Sequence, residues 1–202
     1  FIVFEGIDGA GKTSQIPLLH KNLVRGGFDP LLTHEPGGTP LGDAVNKWLE
    51  EYTKRSPLTE LLLMCSARAE HISKVIKPAL DEGRIVICDR YTHSTIAYQG
   101  YGRGLGLELI QQVNVRATEG IEPDLIVLLD IPISTAYKRK PNRKNDGFET
   151  EESAFHQRVR DGYLSLASLN DNNWLTIDGT LPRSNIAAKI WNRVSLMLTK
   201  IS

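Results

Sequence analysis

The 202-residue sequence has no apolar stretch long enough to cross a bilayer; its longest aliphatic run is Leu125–Leu129, against the roughly 20 residues a membrane helix requires. It has no surplus of charge. The 24 basic and 24 acidic side chains balance, which argues against bulk attraction to nucleic acid or to an anionic membrane. It is poor in cysteine. Cys65 and Cys88 stand alone in apolar surroundings without paired spacing, so a disulfide framework is excluded and both read as reduced core thiols of a cytoplasmic protein. Five histidines (His20, His34, His71, His93 and His156) are scattered without metal-ligand spacing and read as structural. No repeat, low-complexity tract, dividing linker or signal-peptide pattern is present. The chain opens at Phe1 without an initiator Met, so the expectation is a trimmed N-terminus. What remains, 41% hydrophobic and 24% charged, is the composition of one globular domain spanning residues 1–202.

What is present begins at once. Phe1 to Phe4 form an apolar run suited to a buried parallel strand. Gly6-Ile7-Asp8-Gly9-Ala10-Gly11-Lys12-Thr13 follows, a full match to G-x-x-x-x-G-K-[ST] between a strand and a helix pattern. Its glycines let successive N–H groups converge on a phosphate, and the following helix aims the positive end of its dipole there. Lys12 supplies a cation for the outer phosphates and the Thr13 hydroxyl a magnesium ligand. The expectation is that the chain binds a nucleoside triphosphate.

Short apolar runs alternate with helical patterns to the end, which implies an α/β fold on a parallel sheet. Strands are expected near 1–5, 30–34, 84–88, 124–129 and 174–178. Helices are expected near 12–26, 40–53, 57–82, 92–99, 106–119, 132–139, 152–169 and 182–199. Each strand is closed by a carboxylate: Glu5, Glu35, Asp89, Asp130 and Asp178. In a parallel sheet these ends share the edge where ligands bind. Asp130 and Asp178 read first as helix caps, whereas Asp89 follows the buried-looking Ile85–Cys88 and stands where a Walker-B-type Asp supports Mg²⁺.

Other segments reach the same edge. His34-Glu35-Pro36-Gly37-Gly38-Thr39 is a turn facing the phosphate loop. The helix over 57–82 carries an apolar stripe through Leu61, Cys65, Ile72 and Ile76, with Arg68 beside it. That Arg68 reads either as a solvated flank residue or as a donor reaching into a pocket. Arg90, directly after Asp89, is placed to clamp a second phosphate. Lys138–Lys144, KRKPNRK, carries five basic residues in seven. It reads either as a solvated helix end or, from its place on the ligand edge, as a lid, about 138–150, closing over polyphosphate.

Taken together, GIDGAGKTS (6–14), EPGGTPLG (35–42), SARAEH (66–71), DRYTHSTIAYQGYGRG (89–104) and FHQRVRDGY (155–163) resemble the bacterial thymidylate kinases over nearly the whole chain. The resemblance implies a P-loop three-layer α/β/α fold with a five-stranded parallel sheet and a small lid. It also implies transfer of the ATP γ-phosphoryl group to dTMP, dependent on Mg²⁺, in a cytoplasmic homodimer. On that likeness Gly6 to Ser14, including Ile7, Gly9, Ala10 and Gly11, would hold the ATP phosphates through Lys12, with Thr13 and Asp89 serving Mg²⁺. Asp8 would touch the acceptor's sugar hydroxyl or the metal shell. Glu35 and Pro36 would line the dTMP side, Arg68 would bond the thymine base, and Arg90 would grip the dTMP phosphate. Thr95 and Gln99 would reach the base, with Ser94 nearby and Tyr98 under the sugar. Arg139 and Arg143 are the candidates for the lid arginine, and Asp178-Gly179-Thr180 would flank adenine.

The chain departs from that pattern in places. Met64 stands where many relatives stack a Phe on thymine, and a thioether packs on a ring with less defined geometry. His34 replaces a frequent Arg, and Gly147 replaces an Arg common in the lid. Gly9 lacks the charge some eukaryotic relatives carry in the loop, so the positive charge should come from the lid. Two rival readings stay in view. Another nucleoside monophosphate kinase would differ in its acceptor base. A GTPase switch would need N-K-x-D, which Asn46-Lys47-Trp48-Leu49 does not supply.

Overall fold

The computed structural model describes residues 1–139, 149–169 and 172–199. Five strands, β1 (Ile2–Glu5), β2 (Pro30–His34), β3 (Ile85–Asp89), β4 (Leu125–Asp130) and β5 (Trp174–Asp178), form one parallel sheet in the order β2-β3-β1-β4-β5. Each begins and ends within a residue of the run expected for it. The register sets Phe4 beside both Asp89 and Val127, and Asp130 beside Asp178, so the strand ends share one edge. Strand β1 is buried on both faces. Ile2 and Phe4 join the larger core with Leu19 and Leu23, while Phe1 and Val3 join Ile72, Ile76 and Val86. Double burial explains why these strands read as continuous apolar runs without alternation.

Helices α1 (Lys12–Arg25), α2 (Pro40–Glu51), α3 (Pro57–His71), α4 (Lys77–Asp81), α5 (Thr92–Thr95), α6 (Leu107–Thr118), α7 (Ile133–Arg139), α8 (Glu149–Leu169) and α9 (Arg183–Leu198) cover both faces of the sheet. Helices α2 and α3 start as sequence chemistry dictates. The Thr39 hydroxyl accepts from the Gly42 N–H at 3.0 Å and the Ser56 hydroxyl from that of Thr59 at 3.1 Å, each ahead of a proline at the first helical position.

Two helices depart from expectation. The one expected unbroken over 57–82 passes through a π-helical turn, Ile72–Ile76, between α3 and α4. Pro78 explains it: the proline has no N–H for the carbonyl of Lys74, and the widened turn absorbs the mismatch. The helix expected over 92–99 is the four residues of α5 followed by a π-helical stretch, Ile96–Gly102. That stretch carries Tyr98 and Gln99 toward the strand edge, a frequent use of π geometry.

Candidate active site

The donor half of the site is made of backbone. Gly6 and Gly11 take φ of 131° and 106°, values that L side chains avoid. A Cβ on Gly6 would also lie 2.5 Å from the Leu129 carbonyl oxygen. Ile7 and Ala10 are buried and contribute main chain to the loop. Lys12 curls back, its Nζ donating to the Gly6 carbonyl at 2.9 Å. Burial, with the charge of Arg90 adding to it, pulls the Lys12 ammonium down to about 8, against Asp89, Asp8 and Glu5. Arg139 stitches the loop to the turn after β5. Its guanidinium donates to the Gly9 carbonyl at 3.2 Å and to that of Gly179 at 2.9 Å. Asp178 shapes the turn by accepting from the N–H and hydroxyl of Thr180, which holds its carboxyl below the usual range. Asp178, Gly179 and Thr180 thus come beside the phosphate loop.

Thr13, exposed, and Asp89 line the same cleft of about 550 Å³, which also takes in Ser14, His34, Glu35, Pro36 and Arg139. Asp89 Oδ1 is a buried carboxylate oxygen without a hydrogen-bond partner, 4.0 Å from Lys12 Nζ. An orphaned hard oxygen in the same cleft as a hydroxyl fits magnesium, which takes few protein ligands and keeps its waters. Among the described residues no group of three His, Cys, Asp or Glu forms a metal cage.

The acceptor half is made of side chains from distant elements. Arg90 follows β3 with φ of 73°, unusual for a residue with a Cβ. Its guanidinium donates to Asp8 at 2.6 Å, to the Tyr98 hydroxyl at 3.2 Å, and to Ser94 and Tyr163 at 3.1 and 3.2 Å. It also lies over the Tyr98 ring, 5.0 Å from the centroid. Burial opposes its charge, but Tyr98, Tyr163, Asp8 and Glu5 more than offset this and raise its pKa well above the ordinary value. A second cleft, about 280 Å³, adjoins the first at Asp8, Pro36, Asn46 and Arg90 and is lined further by Met64, Ser94, Tyr98 and Gln99. Arg55 and Glu60 lie on this wall as well. Arg55 Nε donates to Glu60 at 2.8 Å, and Gln99 Nε2 donates to the other carboxylate oxygen at 2.6 Å.

Not every expected contact residue reaches a cleft wall. Arg68 and Thr95 are both 0% exposed and sit beneath it. Arg68 donates to Glu35 at 2.7 Å, Asn114 at 2.7 Å, Thr95 at 2.9 Å and the Tyr91 carbonyl at 3.0 Å. The competing acceptors, foremost a buried carboxylate, draw it inward from the position expected against a base. Burial works against the Arg68 charge, and Glu35 overrides it to raise the pKa. His71, structural as expected, holds the other Glu35 oxygen at 3.1 Å and touches Thr33 through its second nitrogen. Asp130 is no helix cap: it forms a bidentate pair with Arg160 at 2.7 and 2.8 Å. Arg143, Gly147 and most of the lid expected over 138–150 lie outside the described residues.

Sequence reasoning assigned no role to Tyr163, Arg55, Glu60 or Asn46. The first had one signal, its place in the stretch FHQRVRDGY (155–163). The others carried none: Asn46 and Glu60 are polar residues on helices and Arg55 lies in the connection between α2 and α3, and such residues read as solvated until the fold turns them inward.

Comparison with known proteins agrees with this geometry. The family model described as Thymidylate kinase matches residues 4–190. A thymidylate kinase of Dehalococcoides mccartyi is 47% identical over 201 residues, covering 98% of this chain and 96% of its own. One from Geotalea daltonii is 48% identical over 189 residues, covering 89% and 88%. Among solved structures, thymidylate kinase from Ehrlichia chaffeensis superposes with a TM-score of 0.80 at 36% identity, over 96% of this chain and 97% of its own.

Proposed function

The chain belongs to the thymidylate kinase family, and from that premise we propose that it transfers the γ-phosphoryl group of ATP to dTMP, giving dTDP and ADP. One observation carries the reading: two clefts, one walled by the phosphate loop and the other by Tyr98 and Gln99, adjoin and share Asp8, Pro36, Asn46 and Arg90 in their walls. Phosphoryl transfer asks for alignment and cationic stabilisation, with no strong general base. The loop amides and Lys12 hold the donor phosphates. Arg90, which already spans Asp8, Ser94, Tyr98 and Tyr163, exchanges its Asp8 contact for the acceptor phosphate. Asp8 then accepts from a sugar hydroxyl. Met64 packs on the base, with Gln99 at its edge. Thr13, supported by Asp89, would hold Mg²⁺, which would supply positive charge to offset that of the donor phosphates.

The rest of the reading follows from the same site. Residues 1–202 act as one kinase domain, with a lid about 138–150 that supplies Arg139 or Arg143 to the transferring group. The chain works as a homodimer: Leu58 and Leu62 on α3 and Leu107, Leu109 and Val115 on α6 are exposed apolar residues on two helices that pack together. A cytoplasmic location accords with the free, buried Cys65 and Cys88. Turnover across a panel of nucleoside monophosphates with Mg-ATP tests the proposal, with dTMP expected to lead. Preference for a ribonucleotide or a purine acceptor would overturn it.

A further inference from the structure

Glu5 is fully buried at the end of β1 and accepts four hydrogen bonds. One oxygen, Oε1, takes the backbone N–H of Tyr91 at 3.0 Å and of Ser94 at 3.1 Å. Both residues follow Arg90 within one turn of chain, and α5 has no side-chain cap of its own, so a carboxylate from β1 does that work. The other oxygen, Oε2, takes the hydroxyls of Ser94 at 2.6 Å and Tyr163 at 2.8 Å. Those same two hydroxyls accept from Arg90 Nη1. The Arg90 N–H itself donates to the Phe4 carbonyl at 2.9 Å, so β1 holds the peptides on both sides of Arg90, and its Glu5 carboxylate also reaches the Arg90 side chain through two hydroxyls.

The direction of the protons follows from counting donors. Burial raises the Glu5 pKa, opposed by the Arg90 charge and by the donors Ser94, Tyr163 and the Tyr91 N–H; four donors beside a guanidinium favour the ionised form, which can only accept, and each hydroxyl has one hydrogen. The two hydroxyls also lie 2.8 Å from each other, but the charged oxygen of Glu5 is the stronger acceptor for both hydrogens, and the lone pairs of Ser94 and Tyr163 then face the guanidinium. We propose that Glu5 is a positioning residue for acceptor binding: it fixes the left-handed backbone at Arg90 and orients two hydroxyls so that they hold the guanidinium ready for the dTMP phosphate. This rests on the reading of Arg90 given above. An amide in place of Glu5 turns donors toward the two hydroxyls, drives their hydrogens at Arg90, and loosens the clamp.

Steady-state kinetics on the full chain test this, with Arg90→Ala as reference. Glu5→Gln is expected to raise the KM for dTMP about 30-fold, and Tyr163→Phe, which keeps the ring and deletes one link, about fivefold. The KM for ATP should move less than about twofold in each. In an Arg90→Ala background, Tyr163→Phe should have no further effect on the KM for dTMP. Equal shifts in both KM values, or an undiminished Tyr163→Phe effect without Arg90, would overturn the proposal. Should Glu5→Gln fail to fold, Tyr163→Phe in the two backgrounds decides. Arg90→Ala that leaves the KM for dTMP unchanged overturns the site reading together with this one. Arg90→Ala that raises it while Tyr163→Phe does not overturns this one alone.

Discussion

The two halves of the cleft are built differently. The phosphate cradle of the donor half is contiguous: Gly6 to Ser14 supplies it from one turn and the first residues of α1, and the Lys12 contact to Gly6 spans only six residues, while Asp89, Arg139 and the turn after β5 join from elsewhere. The acceptor half is assembled across the chain. Arg90 reaches partners 82 and 73 residues away, Asp8 and Tyr163, and Arg68 ties Glu35 to Asn114 behind the wall. A backbone cradle tolerates change in most side chains near it. A clamp of buried charges depends on each partner, because removing one leaves the others desolvated and unpaired.

That contrast is open to breakage, and the largest effect is expected behind the acceptor wall. Arg68→Met leaves the buried Glu35 carboxylate with His71 alone and should cost about 3–4 kcal/mol of stability, read as a lower urea midpoint at unchanged slope. A variant that kept its stability but lost selectivity for the base would return Arg68 to the cleft surface. Next comes Arg90→Ala, expected to lower kcat/KM for dTMP by at least about 100-fold, roughly 2.7 kcal/mol. A loss under about threefold in a folded protein would remove Arg90 from the site.

On the donor side the sharper test is pH. Lys12, lowered to about 8, is charged below that value and neutral above it. Thus kcat/KM for ATP should fall about tenfold per pH unit on the alkaline side, with an apparent pKa near 8 in the free enzyme. A profile flat to pH 10 would separate Lys12 from phosphate binding. The smallest effect belongs to the rim. Asp130→Asn breaks a pair with Arg160 whose side chains are about a quarter exposed, and should cost about 0.5–1 kcal/mol in thermal unfolding, shrinking with added salt.

The strands and the phosphate loop were legible because their signals are local. Apolar runs mark doubly buried strands, and glycines mark a cradle whose φ values only they adopt readily. Helix starts at Thr39-Pro40 and Ser56-Pro57 were legible for the same reason. The fate of Arg68 was not. Whether an arginine beside an apolar stripe faces a ligand or a buried carboxylate depends on Glu35, 33 residues away, and no local pattern records that choice. Tyr163 is the same case at greater range. The π-helical turn at Ile72–Ile76 was readable in principle from Pro78, whereas nothing local announces the one at Ile96–Gly102.

The depressed basicity of Lys12 reaches beyond the rate. An arriving polyanion restores the ammonium's affinity for its hydrogen ion, so at mildly alkaline pH nucleotide capture draws hydrogen ions from the medium. Calorimetric heats of ATP association should then vary from Tris to phosphate in proportion to each buffer's own enthalpy of ionisation.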